Sequence, residues 1–217
     1  MKKMFSGLQQ KMPWNRRGVA PAAAVKAIRE WERGGRPAPP PHVVKQNNLR
    51  TIARQYGLKT LVETGTYYGD MIEALECEFD AIYSIELSEE LHRQAVARFA
   101  GRRHVELIHG DSGQVLKDLL ERIKTPSLFW LDGHYSAGVT ARGEKDSPIM
   151  EELSHIFGSP DIGHVIVVDD ARCFGVEPGY PTIGEIGEFA KARRPHSHVV
   201  VVDDAIRIMP GQPRTGS

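Results

Sequence analysis

The stretch ETGTYYGD, residues 63–70, sets a carboxylate, Glu63, beside two glycines, Gly65 and Gly69. Glycines let a backbone turn tightly and approach a ligand, although a plain strand-to-helix junction uses the same device, so the motif alone is a weak signal. Glu86 follows Gly65 by 21 residues, the interval at which α/β nucleotide sites place the acid that accepts hydrogen bonds from ribose hydroxyls. Asp111, in HGDS, has the chemistry to accept from an exocyclic amine of adenine, and equally that of a helix N-cap. Further on stand Asp132, in FWLDGHYS, and two near-copies, HVIVVDDAR from His164 and HVVVVDDAIR from His198, which carry Asp169–Asp170 and Asp203–Asp204. Whether the twin pairs do the same job depends on the elements that carry them.

Those elements alternate. TLVET (60–64), AIYSIE (81–86), HVELIH (104–109), SLFWLD (127–132) and HVIVVDD (164–170) are short β-rich runs. Between them GDMIEALECEF, SEELHRQAVARFA, SGQVLKDLLERI and SPIMEELSHIF read as helices. Strands joined by helices of this length predict right-handed crossovers and an α/β fold with a mainly parallel sheet buried on both faces. Ligands of such sheets sit at the carboxyl ends of the strands, where Glu63, Glu86, Asp111, Asp132 and Asp169 fall.

With these positions in place, the chain resembles the class I S-adenosylmethionine-dependent methyltransferases over roughly residues 60–209. Their first motif, acid-x-Gly-x-x-x-Gly, stands here as ETGTYYG; the ribose acid is similar to Glu86 in YSIEL and the adenine-side acid to Asp111 in HGDS. Dinucleotide-binding dehydrogenases are the nearest alternative, but they need G-x-G-x-x-G and GTYYG lacks the third glycine. The resemblance implies a Rossmann-like, seven-stranded sheet with an antiparallel final strand and helices on both faces. It also implies a cofactor site of Glu63, Thr64, Gly65, Thr66, Gly69, Glu86, Asp111, Ser112 and Asp132. In that topology HVVVV and DDAIRIM form the closing hairpin, with Asp203 and Asp204 as its turn and therefore scaffold.

The first pair then ends the fifth strand, beside the fourth, which ends in Asp132. Three carboxylates with no basic residue wedged among them repel one another unless something positive is bound, and all-oxygen ligation suits Mg²⁺. One Asp after strand four and an acidic pair after strand five resembles the metal-dependent O-methyltransferases of sugars and natural products, of the macrocin type. Carried over by position, Asp132, Asp169 and Asp170 would hold the metal. Those enzymes read Asp-Gly-Asp where this chain reads Asp-Gly-His, and the loop SAGVTARGEKDS replaces their continuation. His134, in the place of the second Asp, is the candidate general base, beside Asp132 as the second catalytic candidate; a substrate-hydrogen-bonding role for His134 stays open. Tyr135, Arg142 and Lys145 are candidates to line the acceptor site. A metal-free methyltransferase and a non-catalytic methyltransferase-like binding subunit are the alternatives.

Length and charge complete the picture. The 217 residues suit one α/β domain with an appendage. Lys and Arg balance Asp and Glu at 28 each, but residues 1–50 hold eleven basic and two acidic side chains, leaving the rest acidic. We expect residues 1–44 to form a basic arm with one short helix, APAAAVKAIREWERGG, closed by glycines, and residues 45–217 to form the methyltransferase domain. The arm is a candidate lid, homodimer contact or solvated linker. Nucleic acid is disfavoured as a partner, since only Trp14 and Trp31 accompany the basic residues and the body is acidic. No run is long and apolar enough for a bilayer. Two cysteines, Cys77 and Cys173, predict free thiols and a cytoplasmic protein acting on a small molecule.

Overall fold

The computed structural model describes residues 22–132 and 148–211. Two helices lead, α1 (Ala22–Arg33) and α2 (His42–Tyr56). Then β1 (Thr60–Thr64), α3 (Asp70–Leu75), β2 (Ala81–Glu86), α4 (Glu89–Arg98), β3 (Val105–His109), α5 (Ser112–Arg122) and β4 (Ser127–Leu131) alternate. They are followed by α6 (Ile149–Gly158), β5 (Val165–Val168), α7 (Ile183–Arg193), β6 (His198–Val202) and β7 (Ala205–Met209). The sheet runs β3-β2-β1-β4-β5-β7-β6, with β7 antiparallel to both neighbours and the other pairings parallel.

The period-2 alternation of the central strands sorts the core into two layers. Leu61, Leu128, Trp130, Val165 and Val167 pack on α2, α3 and α4. Val62, Phe129, Leu131, Ile166 and Val168 face α5, α6 and α7. Because β1, β4 and β5 are buried along their whole length, polar groups at their carboxyl ends lie between low-dielectric walls.

Two helices were not foreseen. HVVKQNNLRTIARQY, α2, is rich in polar residues, yet Leu49, Ile52 and Ala53 bury one face and Gly57, at φ 64°, caps its end in the left-handed region. The expected boundary between residues 44 and 45 therefore falls inside a helix. Trp31 and Ala24 of α1 pack on Val43 and Val44 of α2, a small cluster apart from the two main layers. The other, α7, carries two glycines but begins with a capping box, in which Thr182 accepts from Glu185 N at 3.1 Å and Glu185 accepts from Thr182 N at 2.7 Å. In contrast, α3 is shorter than its sequence suggests: the chain turns after Leu75, and Glu76 and Glu78 pair with Arg102 and with Arg50 and Arg54. Among the described residues, no helix is long and apolar enough to cross a membrane.

Candidate cofactor site and acidic cluster

Parallel register places the candidate acids on one rim. Thr64 is level with Ile85 and with Leu131, so Glu63 lies just inside the end of β1, while Glu86 closes β2. Asp132 and Asp169 are the first residues past their strands, held by Asp132 N to Thr64 O at 3.1 Å and Asp169 N to Leu131 O at 3.0 Å.

The turn after β1 is shaped by its glycines. Gly65 N donates to Ile85 O at 2.9 Å, which bends the chain over the end of β2, with φ 84°. At Gly69, φ 78°, a Cβ would stand 2.5 Å from the Phe99 ring, so only glycine fits. Glu86 fastens this turn. Its Oε2 accepts from Tyr67 N and its Oε1 from Ser88 N, both at 2.8 Å. Each oxygen keeps a second lone pair for a ligand. Asp111 is the N-cap of α5, accepting from Gly113 N at 2.9 Å, and Ser112 opens that helix, buried. Thr66 Oγ1 and Ser84 Oγ are 2.6 Å apart, and Ser84 Oγ donates to Glu63 Oε2 at 2.6 Å. Glu63 is 1% exposed; burial, aided by Asp132 and Glu86 and opposed by the Ser84 hydroxyl, raises its carboxyl from 4.5 to about 8.

Beside it lies the second set of acids. Oxygens of Asp132, Asp169 and Asp170 all lie within 4.8 Å of one another. Consecutive strand residues point to opposite faces; here β5 stops at Val168 and Asp170 takes a left-handed φ of 55°, so neighbours 169 and 170 turn toward the same cluster. Asp tolerates that conformation better than most residues. Asp170 Oδ1 accepts from Arg172 Nη1 at 2.8 Å, and the same guanidinium is held by Asp204. Burial and Asp132 raise Asp169 to about 7 against the pull of Lys45. Its Oδ1 is buried with no hydrogen-bond partner among the described residues.

Lys45 corrects one premise. A basic group does stand among the carboxylates: Lys45 Nζ, from the first turns of α2, donates to Asp169 Oδ2 and, at 3.2 Å, to Asp170 Oδ1. Burial acts to lower the ammonium, but Asp169, Asp170 and Asp132 outweigh it and hold it above the ordinary lysine value. Sequence offered no signal for this, because 124 residues separate Lys45 from Asp169. Two more residues went unforeseen. Glu152 of α6, 1% exposed beside Thr64 and Ser112, is raised to about 7 by burial. Tyr180 joins Asp132, Glu152, Asp169, Asp170 and Phe174 around a small pocket at this rim. His134, Tyr135, Arg142 and Lys145 lie outside the described residues.

The twin pairs part company here. Asp203 and Asp204 form the two-residue turn between β6 and β7, both left-handed at φ 51° and 61°, as a type I′ hairpin requires. They also brace the site: Asp204 Oδ1 accepts from Arg172 N at 2.9 Å, and Asp203 Oδ2 from Asn48 Nδ2 at 3.0 Å.

No protein-family model and no curated protein sequence matches the chain. Solved structures do. The O-methyltransferase TomG of Streptomyces achromogenes, involved in tomaymycin synthesis and solved with S-adenosylmethionine, is 19% identical, with 89% of this chain and 92% of that chain covered and a TM-score of 0.57. The Podospora anserina methyltransferase PaMTH1, bound to S-adenosylhomocysteine, is 18% identical over 88% and 89%, with a TM-score of 0.54. The fold is that of the class I methyltransferases. A Bacillus cereus O-methyltransferase, solved with S-adenosylhomocysteine, gives 15% identity, coverage of 88% and 92%, and a TM-score of 0.53. Identities this low speak for the architecture, which the strand order and the reversed β7 share with the class I methyltransferases.

Proposed function

We propose that the protein is an S-adenosylmethionine-dependent methyltransferase that transfers the methyl group to an oxygen of a small acceptor, at a site where Asp132, Asp169 and Asp170 can hold a divalent cation. The observation that carries this reading is the convergence of Glu63, Glu86, Asp132 and Asp169 at the carboxyl rim of four adjacent strands. Glu86 accepts from the ribose hydroxyls on the lone pairs that Tyr67 N and Ser88 N leave over. Asp111 caps α5 through Oδ1 and offers its second oxygen to the adenine amine. Asp132, joined by Glu63 where the bound donor favours its ionised form, supplies negative potential for the positively charged end of the donor, whose sulfonium already activates the methyl group. The protein's remaining task is alignment and removal of the acceptor proton.

The carboxylates fit a hard cation. Three oxygens within 4.8 Å can share an ion with bonds of about 2.1–2.4 Å, and Asp169 Oδ1 is desolvated with an unused acceptor capacity. Such an ion, when bound, would lower the pKa of a chelated acceptor hydroxyl and fix its direction. His134 is the proposed base. His134→Gln should lower kcat, and flatten its rise with pH, more than it weakens cofactor binding; unchanged turnover removes the role. Because the body is acidic, we propose a small molecule rather than nucleic acid as acceptor.

The Lys45 contacts favour a second reading, methyl transfer without metal, in which the Lys45 ammonium and the Arg172 guanidinium offset the charge of the cluster. Transfer of labelled methyl from S-adenosylmethionine to a panel of hydroxylated acceptors, with and without chelator, tests both. Chelator-sensitive transfer supports the first, chelator-insensitive transfer the second, and no transfer to any oxygen acceptor counts against both.

A further inference from the structure

A second cavity lies at the edge of the sheet away from the acidic rim. Helices α5 and α6 begin at Ser112 and Ile149, on the rim side, and run back toward the amino-terminal ends of the strands. There their carboxyl-terminal halves border a cavity of about 680 Å³, a size that suits a small-molecule site. We propose that this cavity is a second binding site, separate from the cofactor rim, for a small organic anion, an apolar body carrying a carboxylate or sulfonate.

The buried wall of the cavity offers a donor. His164, the residue before β5, lines it and is 4% exposed. Its Nδ1 accepts from Ser127 N at 3.1 Å, so the proton of the neutral ring stands on Nε2. Burial first, and Arg194 second, hold the imidazole down to about 4 against Asp161; the ring is therefore neutral near pH 7 and Nε2 remains a donor. That N–H makes no hydrogen bond among the described residues. A desolvated donor without an acceptor is costly, and an oxygen of a guest satisfies it. The other histidine of the lining, His155, is already engaged: its Nε2 donates to Gly113 O at 2.7 Å, tying α6 to the first turn of α5 on the side of the cofactor rim.

The mouth supplies the charge. Lys117 and Glu121 of α5 border the cavity together with Lys124 just beyond the helix, and neither ammonium makes an ion pair among the described residues. Two ammonium groups beside one carboxylate leave the mouth positive. Leu120, Ile123, Pro160 and Ile162 add apolar lining. A guest with an apolar body and a negative end meets all three features, the ammonium groups, the apolar wall and the His164 N–H. Gly158, the last residue of α6, also lines the cavity, and a Cβ there would meet nothing within 4 Å. A larger side chain at this position therefore has room to occupy the cavity without displacing either helix.

The test titrates anilinonaphthalene sulfonate, an apolar body with one sulfonate, into the full chain and reads its fluorescence, with S-adenosylhomocysteine in excess to occupy the cofactor rim. Wild type is compared with Gly158→Leu, which fills the cavity, and with the double variant Lys117→Gln and Lys124→Gln, which removes the charge; thermal melts check that each is folded. Wild type should bind the sulfonate at one saturable site, Gly158→Leu at least about tenfold more weakly, and the lysine variant at least about fivefold more weakly. No saturable binding to wild type, or equal affinity in Gly158→Leu, overturns the site. Equal affinity in the lysine variant overturns the anionic class of the guest. Release of the sulfonate as S-adenosylhomocysteine is added puts it at the cofactor rim and overturns the second site.

Discussion

Glu63 gives the sharpest physical handle on the cofactor rim. In the folded chain its carboxyl is raised from 4.5 to about 8, first by burial and then by Asp132 and Glu86. Between those values the folded state holds a proton that the unfolded chain releases, so stability falls as pH rises through this window. At about 1.4 kcal/mol for each tenfold change in proton affinity, the release of this proton on unfolding lowers stability by about 4 kcal/mol at pH 8 and by less than about 1 kcal/mol at pH 5. Glu63→Gln keeps the acceptor for Ser84 Oγ and removes the charge. In ligand-free protein, at about 2–4 °C per kcal/mol for a chain of this size, the variant should gain on the order of 10 °C in Tm over wild type as pH goes from 5 to 8. Differential scanning calorimetry across that range reads it. Positively charged S-adenosylmethionine should favour ionised Glu63, so wild-type affinity should rise toward pH 8 while the variant's stays flat. A wild-type-to-variant gap that is constant with pH would refute the reasoning.

The twin acidic pairs separate under substitution. Asp170→Asn should abolish metal-dependent turnover and Mn²⁺ binding with the fold intact, whereas the double variant of Asp203 and Asp204 to Asn should keep turnover and lose a few degrees of Tm, measured by chelator-controlled assays and melts; equal losses of activity would contradict the division of labour. Deleting residues 1–40 should leave the sheet folded and cofactor affinity preserved, with a lower Tm because Val43 and Val44 lose the Trp31 cover. Circular dichroism and calorimetry check this, and an unfolded product would show that α1 is part of the core.

What sequence could reveal depended on how local the signal was. TLVET and AIYSIE coincide with β1 and β2 residue for residue, because parallel strands buried on both faces leave compact β-rich runs bounded by turn residues. The acids at their ends were legible for the same reason: a strand that ends at a rim fixes where its last carboxylate stands. The Asp203–Asp204 turn was legible from its place between two apolar runs. Helix α2 was not, since its buried apolar positions are interleaved with Lys45, Asn47 and Asn48, and two of its buried residues, Gln46 and Arg50, are polar. Lys45 reads as one more solvated charge until the fold brings residue 45 against residue 169. Glu152 is likewise an ordinary helical glutamate until α6 packs it on Thr64 and Ser112. Asp111 remained double in sequence, and the structure shows the capping half of that pair of roles.

The central claim is that the strand-end acids form a site for S-adenosylmethionine. Calorimetric titration with S-adenosylhomocysteine tests it most directly, in wild type and in Glu86→Ala, where the turn loses its clamp on Tyr67 N and Ser88 N. The account predicts one-to-one binding in wild type and at least about tenfold weaker binding in the variant, since charge-assisted bonds contribute about 1.5–3 kcal/mol each. No heat with wild type, equal affinity in Glu86→Ala, or tight binding of a nicotinamide dinucleotide in its place would contradict it.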